Sequence, residues 1–140
     1  MKNMKFLISL FAIVMVFVFK SNSFAQSEPV LYFCEKYDAT RGEVNVSDRF
    51  YPGYLTVMVK ADKPLGLTKV SIQFDRYNNT TKTFAYYKKF AYTVDPTMKY
   101  VFFAKNDESD MAFEEPGIYR VFLLDSGDKT VASALIEIIK

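Results

Sequence analysis

The stretch TKVSIQFDRY, residues 68–77, decides the fold class of this chain. Three apolar residues alternate there with four polar ones: Val70, Ile72 and Phe74 with Lys69, Ser71, Gln73 and Asp75. Successive side chains of a β-strand point to opposite faces of the sheet. This period of two therefore predicts a strand that buries one face and exposes the other to water.

Similar extended runs lie on both sides of this stretch, and turns rich in proline, glycine and asparagine separate them. The predicted strands are Val30–Tyr37, Tyr54–Ala61, Thr68–Tyr77, Thr81–Val94, Met98–Ala104, Ile118–Asp125 and Thr130–Ile139. Short strands at a spacing of about 8–12 residues are typical of sandwiches and barrels. The sequence therefore predicts an all-β fold, a small antiparallel two-sheet sandwich of about seven strands.

The first 25 residues have the parts of a secretory signal peptide. Lys2 and Lys5 precede an unbroken, almost wholly apolar run over residues 6–19, and small residues at positions 23 and 25 suit a signal peptidase. We predict cleavage after Ala25. An uncleaved membrane anchor is the less favoured alternative, because the run is shorter than the ~20 apolar residues that span a bilayer. The protein is therefore expected in the periplasm, at the cell surface or outside the cell, with no stable membrane span after cleavage.

Removal of residues 1–25 from the 140 leaves 115, which is enough for one domain with a core of its own, so residues 26–140 are predicted to form the sandwich. Three of the 18 basic residues leave with the leader, so 15 basic residues face 16 acidic ones, a net charge of −1. A nucleic-acid partner normally needs a clear basic excess, and none is expected.

The composition argues against most catalytic chemistry. The chain has no histidine and a single cysteine, so it has neither an imidazole base nor a thiol pair. We expect a protein that is not an enzyme; a small hydrolytic or carbohydrate-active enzyme that uses loop carboxylates is the alternative. Cys34 lies in the apolar run VLYFC, residues 30–34, and is expected to be buried.

An acidic segment, NDESD at residues 106–110, contains candidate calcium ligands in Asp107 and Asp110. Its spacing lacks the glycine and the terminal glutamate of an EF-hand loop. A solvated loop is the favoured interpretation. No cofactor is expected, and calcium is the alternative.

The predicted strand Thr81–Val94 carries the most suggestive side chains. At a period of two, one face of it would hold the candidate ligand-binding residues Phe84, Tyr86, Lys88, Phe90 and Tyr92. Such an aromatic stripe stacks on sugars or contacts a protein if it faces solvent. It fills the interior if it faces the other sheet, which is the more usual arrangement in a sandwich.

The segment PGIYRV, residues 116–121, with Leu123, Asp125 and Gly127 after it, resembles the end of immunoglobulin-like and PKD-like extracellular sandwich domains. The resemblance implies structural roles for Gly117 and Tyr119. The tyrosine ring would pack in the core while its hydroxyl bonds back to the backbone of the preceding loop. Antibody-type hallmarks are missing, since the chain has no tryptophan and no cysteine pair. The resemblance implies a fold rather than an activity.

Three functions are compatible with this sequence. The favoured one is an exported, non-catalytic module that acts in binding or assembly at the bacterial cell envelope, with an envelope protein or a glycan as its partner. The enzyme described above is the second. The third is a structural envelope subunit that polymerises by strand addition, with the first strand around Cys34 as the candidate donor.

Overall fold

A computed structural model of the chain describes residues 28–106 and 109–140. The predicted signal peptide and Asp107 lie outside the described residues, and both predictions stand as they were made. Every regular element of the described residues is a β-strand or a turn. No helix among them is long and apolar enough to cross a membrane.

The described residues form eleven strands, three of which are only two residues long. They are β1 (Val30–Asp38), β2 (Gly42–Ser47), β3 (Arg49–Phe50), β4 (Gly53–Tyr54), β5 (Thr56–Lys60), β6 (Lys69–Asn78), β7 (Thr83–Thr93), β8 (Tyr100–Phe103), β9 (Ala112–Phe113), β10 (Gly117–Leu124) and β11 (Thr130–Ile138). All seven predicted strands are present, although the second one begins as the separate short strand β4. The sequence prediction missed β2, which forms a hairpin with β1.

The strands form two main sheets. One sheet has four strands in the order β2-β1-β5-β8, and the other has five in the order β3-β11-β10-β6-β7. All pairs in them are antiparallel except β3 with β11. The order β11-β10-β6-β7 is that of strands G, F, C and C′ in an immunoglobulin sheet. The predicted all-β, immunoglobulin-like sandwich is confirmed.

The core lies between the two sheets. Val70, Ile72 and Phe74 of β6 are fully or almost fully buried, as their alternation predicts. The facing sheet contributes the alternate residues of β1 and β5 to the same cluster: Leu31, Phe33, Val57 and Val59. Burial of such side chains stabilises each by roughly 1.5–3 kcal/mol, so this layer supplies the main drive for folding.

The predicted tyrosine corner is present at the start of β10. Tyr119 is completely buried, and its hydroxyl donates a hydrogen bond of 2.7 Å to the carbonyl oxygen of Glu115. Gly117 adopts φ +152°, a conformation that only glycine reaches without strain. The loop therefore returns to the core at a fixed point, and the structural roles predicted for both residues are confirmed.

Tyr119→Phe tests the corner. It removes the hydroxyl but keeps the ring, so we expect the free energy of unfolding to fall by about 1 kcal/mol, the worth of one hydrogen bond. Urea denaturation measures the change. Tyr86→Phe at an exposed position is the control and should leave stability unchanged; equal stability of the two variants would contradict a role for the corner.

The β1–β2 hairpin forms one end of the four-stranded sheet, and its side chains reach β8 at the other end. Tyr37 of β1 stacks on Phe102 of β8 with ring centroids 4.5 Å apart. Cys34 of β1 and Met58 of β5 are both fully buried, although neither belongs to the core between the sheets. The predicted burial of Cys34 is confirmed. β1 pairs with β5 over Val30–Cys34 and with β2 over Phe33–Asp38, so it is not an edge strand of the sheet. Assembly by strand addition around Cys34 stays a prediction.

One carboxylate fastens this hairpin. Glu43 of β2 accepts hydrogen bonds from the hydroxyls of Tyr32 on β1 and Tyr100 on β8. These bonds favour the ionised carboxylate and lower the pKa of Glu43. Burial, together with the bond to this carboxylate, raises the pKa of Tyr100 to about 12 and raises that of Tyr32 as well. Both hydroxyls therefore keep their protons at every physiological pH.

The hairpin should loosen in acid. Because the pKa of Glu43 is lower in the folded state, its contribution is complete above the unfolded value of about 4.3 and is lost as pH falls through the folded value. The protection factors of the Tyr37 and Met58 amides, which are exchange rates corrected for the intrinsic pH dependence of exchange, should therefore fall between about pH 5 and about pH 3. Glu43→Gln, which cannot ionise, should remove that pH dependence; an unchanged profile in the variant would contradict the role of Glu43.

Candidate functional site

The candidate aromatic strand does not keep one face along its length. Phe74 of β6 pairs with Lys88, whereas the next residue, Asp75, pairs with Tyr86, so Tyr87 is an extra residue in β7. Such a bulge reverses the alternation of side chains on the two sides of it. The predicted single stripe is therefore wrong: Lys88, Phe90 and Tyr92 point into the sandwich, while Phe84 and Tyr86 point outward.

The inner aromatic residues belong to the core. The Phe90 ring lies 6.3 Å from that of Phe74, and the Tyr92 ring lies 5.0 Å from that of Phe103. The Tyr92 hydroxyl forms a 2.6 Å hydrogen bond with Ser109 Oγ, and burial raises the pKa of this phenol. Because Phe90 and Tyr92 pack inside the sandwich, they are removed from the predicted ligand-binding set.

Lys88 is an interior cation. Its Nζ lies 5.3 to 5.9 Å from the ring centroids of four aromatic residues: Phe74, Tyr87, Phe90 and Phe113. It donates hydrogen bonds to the carbonyl oxygens of Asp110, at 3.0 Å, and Ala112. Desolvation lowers the pKa of Lys88, since burial disfavours the charged form. The ammonium joins β7 to Asp110 and to the first residue of β9. It is occupied by the protein itself, so its predicted role in ligand binding is also corrected.

Lys88→Met should cost stability through the two carbonyl groups left without a donor. We expect a loss of roughly 1–3 kcal/mol in the free energy of unfolding, measured by urea denaturation. The matched control is Lys89→Met, because Lys89 forms an exposed ion pair with Asp128 and such pairs are worth ~0–1 kcal/mol. If the two variants were equally stable, the interior lysine would carry no structural role.

The outward residues of β7 join a larger surface on the five-stranded sheet. Strand register places Tyr86 beside Asp75, Asp75 beside Arg120, and Arg120 beside Leu135. We call this surface the outer aromatic face and define it by Tyr77, Phe84, Tyr86, Ile118, Arg120, Phe122 and Leu135. Its most exposed members are Tyr86 at 65%, Leu135 at 52% and Ile118 at 43%. These apolar groups lie in water instead of in the core.

Side-chain contacts order the outer aromatic face. The Arg120 guanidinium lies 4.3 Å from the centroid of the Phe84 ring, and Tyr77 packs against the same ring at 5.2 Å. A cation over a ring and a ring pair each contribute about 1 kcal/mol. Gln73 donates a 2.9 Å hydrogen bond to Asp75 within the same surface. The aromatic centre is thus held in place, while Tyr86 projects from it.

This arrangement is suited to binding rather than to acid–base chemistry. It combines tyrosine, phenylalanine and arginine at its centre with polar groups around them, which is the composition of protein interfaces. The described residues contain no group of three histidine, cysteine, aspartate or glutamate side chains placed to hold a metal. Asp110 accepts a 3.1 Å hydrogen bond from the backbone N–H of Ala112 instead. The calcium alternative stays a prediction, because Asp107 lies beyond the described residues.

Sequence reasoning missed most of the outer aromatic face. The signal was present in β10, where Ile118, Arg120 and Phe122 alternate with the buried Tyr119 and Val121. The prediction for that strand included only its inward residues, so the outward residues were missed. The bulge at Tyr87, by contrast, has no proline or glycine to mark it, so the split of β7 could not be read from the chain.

Comparison with solved structures finds proteins of similar fold. The chain is similar to an immunoglobulin-like protein, PA1606 from Pseudomonas aeruginosa, at 12% sequence identity and a TM-score of 0.46. The match covers 82% of this chain and 99% of that one. No protein-family model and no curated protein matches the sequence.

Proposed function

We propose that this protein is an exported, non-catalytic binding module of the bacterial cell envelope, and that the outer aromatic face is its contact surface for a partner protein. The observation that carries the proposal is the exposed, ordered aromatic centre of the five-stranded sheet. An apolar surface of this kind is costly in water and is common where a second protein covers it. The export half of the proposal rests on the signal-peptide pattern of residues 1–25.

Order in the free protein favours tight binding. Phe84 is already fixed between Arg120 and Tyr77, so it loses little conformational freedom when a partner arrives. Tyrosine and arginine are also the residues most often found to dominate interface energetics. The face therefore presents a rigid anchor, flanked by exposed aliphatic groups at Ile118 and Leu135.

The same observations give an enzyme little support. The chain has no histidine, and its single cysteine, Cys34 of β1, is buried. Strand register places two carboxylates within the outer aromatic face: Asp75, which accepts a hydrogen bond from Gln73, and Glu137, which forms an ion pair with Arg49. A module that recognises a partner uses these groups as they stand, without a proton-transfer step.

Site-specific photo-crosslinking in the producing cell tests the proposal. A benzophenone side chain at position 86 should crosslink one defined envelope protein, which mass spectrometry identifies. The same group at position 51, an exposed tyrosine on a different surface, is the control and should not capture that protein. Equal crosslinking from both positions, or none from position 86, would overturn the proposal.

Purified components then measure the contact. With the identified partner, the double variant Tyr86→Ala/Leu135→Ala should raise Kd at least about tenfold in titration calorimetry. Both positions are more than half exposed, so the melting temperature should stay unchanged. Cell fractionation of the processed protein tests export separately; retention in the cytoplasm would defeat that part alone.

A further inference from the structure

A concave surface, separate from the outer aromatic face, lies where the chain crosses between the two sheets. The segment of residues 50–55 leaves the five-stranded sheet after β3 and enters the four-stranded sheet at β5. Together with edge strand β2 it lines a groove of about 580 Å³. Two tyrosines in this segment are unusually open to solvent, Tyr51 at 67% and Tyr54 at 53%.

The backbone that carries these two rings is fixed at both ends. Phe50 accepts a 2.8 Å hydrogen bond from the N–H of Ile139. Tyr54 pairs with Ala112 in the small β4–β9 sheet. Lys105 Nζ also donates a 2.9 Å hydrogen bond to the Tyr54 hydroxyl and lies 4.1 Å from its ring centroid. The backbone on both sides of Tyr51 and the ring of Tyr54 are thus preorganised, so a ligand need not order the whole segment.

Planar polar side chains line the same groove. Asn45 Nδ2 donates a 2.5 Å hydrogen bond to Glu35 Oε2, and Arg49 Nε lies 2.8 Å from Glu137 Oε2. A guanidinium has five donor hydrogens and a carboxylate has two acceptor oxygens, so both keep hydrogen-bonding capacity for a ligand. Glu35 and Arg49 carry opposite charges, which gives the groove no bias towards an ionic ligand.

We infer that this groove binds a neutral oligosaccharide. A sugar ring presents C–H groups that pack on an exposed tyrosine and hydroxyls that exchange hydrogen bonds with planar amide, carboxylate and guanidinium groups. An extended peptide fits less well. Asn45, at φ 54°, interrupts the free edge of β2 along which a peptide would have to pair.

This site does not depend on the proposed protein-binding function. The groove uses Tyr51 and Tyr54, whereas the proposed contact uses Tyr86 and Leu135 on the outer aromatic face. A variant at one surface is therefore the control for the other, and the failure of one assignment leaves the other intact.

Titration of the processed protein with defined ligands tests the inference. The panel is cellohexaose, xylohexaose and hexa-N-acetylchitohexaose as neutral sugars, hexagalacturonate as an anionic sugar, and an extended Thr/Val hexapeptide. Binding is followed by calorimetry and by amide chemical shifts in nuclear magnetic resonance. At least one neutral hexasaccharide should bind and shift the amides of residues 51–54, with the anionic sugar and the peptide binding more weakly.

Tyrosine variants assign the contact. Tyr51→Ala should weaken binding of that sugar at least about tenfold, because a stacking ring is lost. Tyr51→Phe keeps the ring and should stay within about twofold, and Tyr86→Ala should bind as the unmodified protein does. The inference is overturned if no neutral sugar binds at up to roughly 10 mM, far beyond a millimolar Kd. It is equally overturned if the peptide or the anionic sugar is preferred, or if Tyr51→Ala binds normally.

Discussion

The buried hydroxyl of Tyr119 is the constraint on which the rest of the sandwich depends. A hydroxyl group is costly to bury unless it has a hydrogen-bond partner, so the ring can enter the core only if the Glu115 carbonyl comes with it. That requirement fixes where the chain crosses into β10. Around the fixed ring, Phe113 packs edge-on at 5.2 Å and Tyr87 at 5.8 Å. The extra residue of β7 is therefore held against the same tyrosine that organises the crossover.

Because of the bulge at Tyr87, the single strand β7 contributes side chains both to the core and to the solvent-exposed face. Beyond it, β7 supplies Phe90, Tyr92 and the interior cation Lys88 to the core, and before it the strand supplies Phe84 and Tyr86 to the solvent face. A strand without the extra residue would bury all these rings or expose them all. The bulge also brings Tyr87 and Lys88 together on the inner side, where the ammonium reaches the carbonyl groups of Asp110 and Ala112 at the start of β9.

Two features could be predicted because each is contained in a few residues. The alternation of β6 predicted its inward residues, and the resemblance of the PGIY segment to immunoglobulin-like domains implied the role of Tyr119. The β2 strand was missed because its sequence, GEVNVS, is short and mostly polar. The strand is stabilised by its pairing with β1, which the sequence of β2 alone does not show. The extra residue that splits β7, Tyr87, packs against Tyr119, a residue 32 positions away in the chain. Both candidate surfaces also combine several strands, and no single stretch of sequence contains either of them.

The edges of the two sheets determine what kind of partner the molecule can accept. Pairing with another chain needs a long, regular strand with a free side. The exposed edge of β7 is interrupted by the bulge and carries Lys88 and Lys89, and β2 is interrupted by the left-handed Asn45. At the other edge of the four-stranded sheet, β8 is only four residues long. Strand addition is therefore opposed at each of these edges. The two contacts that we propose, on the outer aromatic face and in the groove beside residues 50–55, use side chains instead of strand pairing.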